Sequence, residues 1–114
     1  MKSVDLQSIP TLLIKATDSS IAVINLAIVN YGDTPANFSV YAVPNGKVVP
    51  SYDSDGNVVA GNPETSLIID QVIQPKDTIF LNLEKFLLHP GDALYAKKSS
   101  DTDKVCVHVI YEKY

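Results

Sequence analysis

Two segments of the chain share a pattern in which Pro-x-Asp is followed by one variable, one apolar and one aromatic residue. They cover residues 74–80 and 89–95, and they place Asp77 and Asp92 at matching positions. Paired carboxylates hydrolyse glycosidic bonds when they lie at a fixed separation. An aspartate that follows Pro-x in a turn instead accepts hydrogen bonds from nearby backbone N–H groups. The turn role needs no further partner, so we predict that both aspartates are structural.

A cysteine and a histidine form a second candidate site near the end of the chain. Cys106 and His108 are two residues apart in an alternating apolar segment, so their side chains are expected on the same side of a strand. A Cys–His pair can act as a nucleophile or bind a metal, but both uses need further groups. The other histidine, His89, precedes Pro90 in a turn, and the spacing gives no reason for three zinc ligands to converge. We predict a core position for Cys106 and a partly covered one for His108.

An acidic turn carries oxygen-bearing residues at part of the spacing of a calcium-binding loop. Counted from the first aspartate, positions 1, 3, 5 and 12 hold Asp53, Asp55, Asn57 and Glu64. Position 6 is Val58, where such a loop needs glycine, and no helical pattern flanks the segment. We therefore predict an Asp-Gly hairpin with solvated carboxylates, and no metal or other cofactor, with calcium binding as the alternative.

Aromatic residues suggest a further kind of site. The chain has six tyrosines, three phenylalanines and no tryptophan. Aromatic faces can stack on sugar rings, and the candidates for such stacking are Tyr31, Tyr41, Tyr52 and Tyr95. Tyrosine is also common at strand edges and interface rims for packing reasons alone. Carbohydrate binding therefore remains an alternative.

Charge and composition exclude several classes of partner. The formal net charge is −4, and all nine basic residues are lysine. Duplex nucleic acid requires a basic face, and arginine is the usual residue for bidentate phosphate recognition. No apolar run approaches the ~20 residues of a membrane-spanning helix, and the first residues lack a signal-peptide pattern. A single cysteine cannot form an internal disulfide. We expect a soluble cytosolic product that binds neither nucleic acid nor membrane.

The apolar pattern predicts an all-β fold. Thirteen valines and ten isoleucines favour strands, and ten aspartates against three glutamates favour turns. Strands are predicted at residues 11–16, 21–30, 36–43, 67–73, 78–83, 93–98 and 104–111, with a short hairpin built on the valine pairs at 48–49 and 58–59. Residues 84–88 are predicted as one helical turn. Seven or eight short strands indicate a single antiparallel β-sandwich over residues 11–114, of jelly-roll or immunoglobulin-like type.

The first ten residues show a mixed pattern and are predicted to form an N-terminal arm. Val4, Leu6 and Ile9 are apolar residues outside the predicted sandwich. Such an arm can add a strand to a neighbour's sheet or pack on a partner. These three residues are therefore the predicted interface.

The segments at residues 29–46, 67–78 and 87–97 resemble small all-β virion proteins of tailed bacteriophages. Those proteins occur as capsid decoration (cement) proteins or as accessory domains on tails and fibres, and the resemblance covers residues 21–111. It implies a non-enzymatic structural protein of the virion, most simply a decoration protein that is made in the host cytoplasm. Its partners would be the major capsid protein or other virion subunits, with self-association into a homo-oligomer and avidity from repeated contacts. The alternatives are a tail, baseplate or fibre accessory protein and, in another class, a host-surface carbohydrate-binding module.

Overall fold

The computed structural model describes residues 2–55, 57–62 and 66–113, and these residues form ten β-strands and no helix. All strand pairings are antiparallel. The strands in chain order are β1 Lys2–Asp5, β2 Thr11–Lys15, β3 Ile21–Asn30, β4 Ala36–Val43, β5 Ser51–Tyr52, β6 Val58–Ala60, β7 Ser66–Ile73, β8 Thr78–Leu88, β9 Ala93–Lys98 and β10 Val105–Lys113.

Eight strands form two four-stranded sheets. Sheet A has the order β1-β10-β3-β8 and sheet B has the order β2-β9-β4-β7. The pairings are nested, because β1 pairs with β10, β2 with β9, β3 with β8 and β4 with β7. The chain is thus a long hairpin, rolled so that β10 also pairs with β3 and β9 with β4. This strand order is that of a jelly roll.

The predicted antiparallel β-sandwich is confirmed, and of its two candidate topologies the structure has the jelly roll. The strand count is ten because β5 and β6 form a separate two-stranded sheet and because residues near the N-terminus also form a strand. The predicted hairpin is present at β5 and β6, but its first strand is Ser51–Tyr52 and not the valine pair at 48–49.

The predicted helical turn at residues 84–88 is wrong, because these residues belong to β8. Val23 of β3 pairs with Phe86, and Ile21 pairs with Leu88, whose side chain is buried. Pairing along the whole of β3 gives this segment a partner that its own sequence does not reveal. The strand therefore continues to the corner before β9.

The edge strand β1, Lys2–Asp5, replaces the first part of the predicted arm. Lys2–Asp5 pairs with β10, and the backbone N–H of Leu6 donates to Val105 O at 2.9 Å. Leu6 is fully buried, and Val4 packs against the same core. Residues two apart on an extended chain point to the same side, which explains why both face inward.

The core lies between the two sheets, and a bulge in β3 adjusts which residues reach it. Leu26 and Ile28 face inward from β3, as do Ile21 and Val23 on the other side of the bulge. Against β10, Ile24 is the extra residue of β3, because Asn25 and Val23 pair with the consecutive residues Ile110 and Tyr111. The register against β8 shifts at the same place, but there the extra residues are in β8. The largest fully buried side chains are Phe38, Leu6, Leu13, Leu26, Ile28, Ile73, Leu88 and Leu94.

Both Pro-x-Asp segments form the same turn. In each, the N–H of the aspartate donates to the carbonyl oxygen three residues earlier, at 3.3 Å for Asp77 and 2.9 Å for Asp92. The residues before them, Lys76 and Gly91, have φ of 58° and 96°. Proline at the second position and positive φ at the third are typical of a type II turn. One turn carries the chain from sheet B to sheet A, and the other returns it.

Candidate functional site

A cleft of about 280 Å³ opens beside β9, between the loop before β2 and the segment after β4. Ile9 and Val48 contribute apolar walls and are 68% and 61% exposed. The volume lies below the ~300–1,000 Å³ of pockets that enclose a whole drug-sized ligand, so the cleft suits one ring or one side chain. Its lining residues are Ile9, Pro10, Lys47, Val48, Val49, Ser51 and Tyr95.

Hydrogen bonds of the backbone N–H groups and of the Asn62 side chain hold the segment after β4 in place. The N–H of Lys47 donates to Pro44 O at 3.0 Å and closes a turn. The N–H of Val48 donates to Asn62 Oδ1, and the N–H of Asn62 donates to Val48 O, both at 2.8 Å. Val49 is buried and anchors the segment. The far end of the small hairpin is thereby tied to the side of the cleft.

The structure brings together two of the four candidate tyrosines. Tyr41 of β4 and Tyr95 of β9 are direct cross-strand partners, and Tyr95 also lines the cleft. Tyr31 follows β3 and donates its hydroxyl hydrogen to Asp5 Oδ1 at 2.9 Å. The side chain of Tyr52 lies outside the described residues. Of these tyrosines, Tyr95 lines the cleft and Tyr41 is its neighbour on the next strand.

The acidic turn uses its first aspartate to fix the backbone. Asp53 Oδ1 accepts hydrogen bonds from the N–H groups of Asp55 and Asn57, both at 2.9 Å, and the N–H of Asp53 donates to Asn57 O. This is the local hydrogen bonding expected of an Asp-containing turn. Glu64, the fourth calcium candidate, lies outside the described residues. Among the residues that are described, no group of three His, Cys, Asp or Glu side chains is placed to hold a metal.

Cys106 and His108 do share one face of β10, as their spacing predicts. Cys106 Sγ lies 3.9 Å from His108 Nε2, and Ser3 Oγ lies 2.7 Å from His108 Nδ1. His108 is half-buried, as predicted, but Cys106 is half-buried on the outer face of sheet A and is not a core residue. His89 lies at the β8–β9 corner, so a three-ligand site within one chain does not form.

Two groups near β1 have shifted acidities. Burial, followed by the nearby Asp5 carboxylate, raises the pKa of the Cys106 thiol. A nucleophilic cysteine needs the opposite shift, because the thiolate is the reactive form. The hydrogen bond to Asp5, with smaller contributions from burial and from the Asp5 charge, raises the pKa of Tyr31. The environment of Cys106 therefore favours the protonated thiol.

Asp77 and Asp92 do not form a carboxylate pair. They lie at opposite ends of β8, whose 11 residues extend over roughly 30 Å at about 3.3 Å per residue. Asp77 Oδ1 accepts a hydrogen bond from the N–H of Thr78 at 2.8 Å. Asp92 accepts from the N–H groups of Asn45 at 3.0 Å and His89 at 3.2 Å. Both carboxylates act in turns, as expected.

The three predicted interface residues have different environments. Leu6 is fully buried in the core of its own chain and is not available to a partner. Val4 is partly buried against that core, whereas Ile9 is exposed at the rim of the cleft. The exposed part of the predicted interface is thus reduced to Ile9.

Some site residues have no signal in the sequence. Ser3 lies 105 residues from its partner His108, and only the pairing of β1 with β10 brings them together. Val48 reaches the cleft because Asn62 fixes its backbone. Neither contact can be predicted from the composition of the chain or from the spacing of its residues.

No protein-family model, curated protein or solved structure matches the chain. The described residues include no helix that could cross a lipid bilayer. The molecule is a jelly-roll domain, and this architecture carries many unrelated functions.

Proposed function

We propose that the chain is a non-enzymatic structural protein of a tailed-bacteriophage virion, most simply a capsid decoration protein. The observation that carries the proposal is the nested strand order of sheets A and B, because jelly rolls are common in viral capsid and lectin domains. The resemblance of residues 21–111 to small virion proteins supports the same class.

The described surface offers apolar residues to a particle. Ile9 and Val48 lie together at the cleft and are largely exposed. Such a patch gives modest affinity, which suffices when several copies or several contacts act together on a repeating lattice. The partners proposed are the major capsid protein or other virion subunits, and the proposed sites of synthesis and residence are the host cytoplasm and the virion.

Particle composition tests the proposal. In virions purified from the phage that encodes this chain, a decoration protein is expected in hundreds of copies, whereas a tail, baseplate or fibre protein is expected in far fewer. Quantitative mass spectrometry gives the copy number, and imaging of particles with and without the protein locates it. Its absence from washed virions would contradict the proposal.

A variant of the exposed interface residue tests the docking surface. We expect Ile9→Asp to reduce binding to particles that lack the protein by at least tenfold, because a charge replaces an exposed apolar contact. Val59→Asp on the small hairpin is the matched control, since Val59 is similarly exposed but does not line the cleft. Co-sedimentation measures both, and equal losses would argue against docking at the cleft.

Carbohydrate binding is the second candidate, and the Tyr41–Tyr95 pair favours it. If the cleft binds a sugar ring, Tyr95→Ala should lower glycan affinity by about 10-fold or more, in line with ~1–3 kcal/mol for a lost stacking contact. Tyr31→Ala is the control, because Tyr31 does not line the cleft. A glycan array followed by calorimetry makes the comparison. Equal effects of the two changes, or no glycan binding by the wild type, would rule out this candidate.

A further inference from the structure

The outer face of sheet A has an almost uncharged centre. Its side chains fall into three rows that run across the sheet. In the described part of these rows, Asp5 is the single charged residue at neutral pH when His108 is neutral. The rows are Asp5, Cys106, Val29 and Thr78; Ser3, His108, Ala27 and Phe80; and Ile110, Asn25 and Asn82.

Apolar side chains are exposed on this face. Phe80 is 69% exposed and Ile110 is 41% exposed, although both lie within regular strands. Val29, in the row that contains Cys106, is half-buried, and Ala27, in the row that contains His108, is buried, so Phe80 and Ile110 supply the exposed apolar area of these rows. Such a face resembles one half of a packed sheet interface.

The Cys106–His108 pair has the geometry of two ligands of one metal ion. A tetrahedral zinc ion, about 2.3 Å from sulfur and about 2.0–2.1 Å from nitrogen, holds these two atoms about 3.6 Å apart. Cys106 Sγ and His108 Nε2 are 3.9 Å apart, so a small side-chain movement suffices. The two side chains can therefore bind one ion with little change in their positions.

Ser3 is the hydrogen-bond partner that the second ring nitrogen of a metal-binding histidine usually has. Ser3 Oγ lies 2.7 Å from His108 Nδ1. In the tautomer whose Nδ1–H donates to that hydroxyl, the lone pair of Nε2 points towards the thiol. Metal-bound histidines usually donate their other ring N–H to such a partner, which fixes both the tautomer and the ring orientation.

The pair supplies only half of a tetrahedral ligand set. Structural zinc sites have four protein ligands drawn from cysteine and histidine. Within the described residues of one chain, no third His, Cys, Asp or Glu side chain joins this pair in a metal-binding group. A zinc ion bound by this pair would therefore take its other two ligands from another molecule.

We propose that two copies of this chain pair through the outer faces of their sheets A and bind one zinc-class ion between them with Cys106 and His108 of each copy. A two-fold axis through the ion gives a Cys₂His₂ site from one repeated contact. Both thiols bind as thiolates, so each releases a proton to solvent. The pairing requires no virion component.

The dimensions of the sheets permit this arrangement. Two sheets that pack face to face lie about 10 Å apart, so an ion at the midplane is about 5 Å from each sheet. Cysteine and histidine side chains span that distance. Phe80 and Ile110 of both copies would be covered by the same contact, which explains why they are apolar. The shared zinc ion thus fixes the register in which the two faces pack against each other.

Zinc titration of the purified, reduced protein tests the proposal. Half an equivalent of zinc is expected to double the 12.4 kDa chain mass in light scattering, and a chelator should reverse the change. Cobalt as a probe should give the visible spectrum of a tetrahedral thiolate–imidazole site, saturating at one ion per two chains. A mass that stays at that of one chain, or saturation at one ion per chain, would overturn the proposal.

Four variants assign the effect to the named residues. Cys106→Ser and His108→Ala should abolish the zinc-dependent dimer, whereas His89→Ala at the β8–β9 corner should leave it unchanged. Ser3→Ala keeps both ligands and should weaken zinc affinity by about 10–100-fold, as expected when the partner of a ligand is removed. Circular dichroism shows that each variant is folded. Zinc-dependent dimerisation of Cys106→Ser, or a dimer that only a reductant disperses, would also contradict the proposal.

Discussion

Replacing Asn30 by leucine is expected to lower the free energy of unfolding by about 3–5 kcal/mol, a large part of the stability of a small domain. Asn30 is fully buried at the end of β3. Its Nδ2 donates to Thr34 O at 2.9 Å and to Ile73 O at 3.0 Å, while its Oδ1 accepts from the N–H of Gly32 at 2.9 Å. Leucine has a similar volume but removes all three hydrogen bonds, and it leaves the buried Ile73 O without this donor.

A second asparagine of the same strand provides the matched control. Asn25 Oδ1 is buried and has no hydrogen-bond partner among the described residues. Asn25→Val therefore removes no bond of this oxygen, and we expect a change within about 1 kcal/mol. Urea unfolding measures both variants. Equal effects at Asn30 and Asn25 would mean that the hydrogen bonds of Asn30 do not stabilise the loop after β3.

The second large effect is expected at the β8–β9 corner, where Gly91→Ala should destabilise the fold by about 2–4 kcal/mol. Gly91 has φ of 96°, which residues with a Cβ rarely adopt. A Cβ built there would collide with Asn45 Cγ and would lie 2.7 Å from Asn45 Cβ. Asn45 cannot withdraw easily, because its N–H donates to Asp92 Oδ1.

Gly46→Ala separates the two causes of this destabilisation, which are backbone strain at positive φ and the clash with the Asn45 side chain. Gly46 also has positive φ, 81°, but a Cβ there would meet nothing within 4 Å. We expect a cost of about 1 kcal/mol from the backbone alone. The clash should be relieved when Asn45→Gly is combined with Gly91→Ala, so the double variant should cost less than the sum. Thermal unfolding measures the wild type, the three single variants and the double variant, and similar costs at Gly46 and Gly91 would exclude the clash.

The strands that the sequence predicts best are those with turn signals at both ends. β3, β4 and β9 have their predicted bounds to the residue, because alternating apolar residues end at loops that contain Asp, Pro or Gly. The second half of β8 was predicted as a helical turn, since its pairing with β3 depends on residues far away in sequence. The N-terminal strand was predicted as an arm for the same reason.

In the candidate sites, too, local features can be predicted from the sequence and contacts between distant residues cannot. The spacing of Cys106 and His108 correctly predicts that they share a face, because alternation along a strand is a local property. That Ser3 would hold the histidine was not predictable, since a hydroxyl 105 residues away carries no local signal. The same contrast between local and distant information applies to the candidate tyrosines. Four candidates were evident from type alone, but only the β4–β9 register places Tyr41 beside Tyr95.

The nested pairing of strands also determines the order in which the sheets can be completed during synthesis. β10, the last of the ten described strands, lies between β1 and β3 in sheet A, so β1 has no neighbour in its sheet until β10 is available. β4 and β7 are close in sequence and can pair much earlier. Contacts between distant segments form slowly, because the intervening chain must first be ordered. During translation, sheet A therefore cannot be completed, and it cannot fully cover the inner face of sheet B, until β10 has been made.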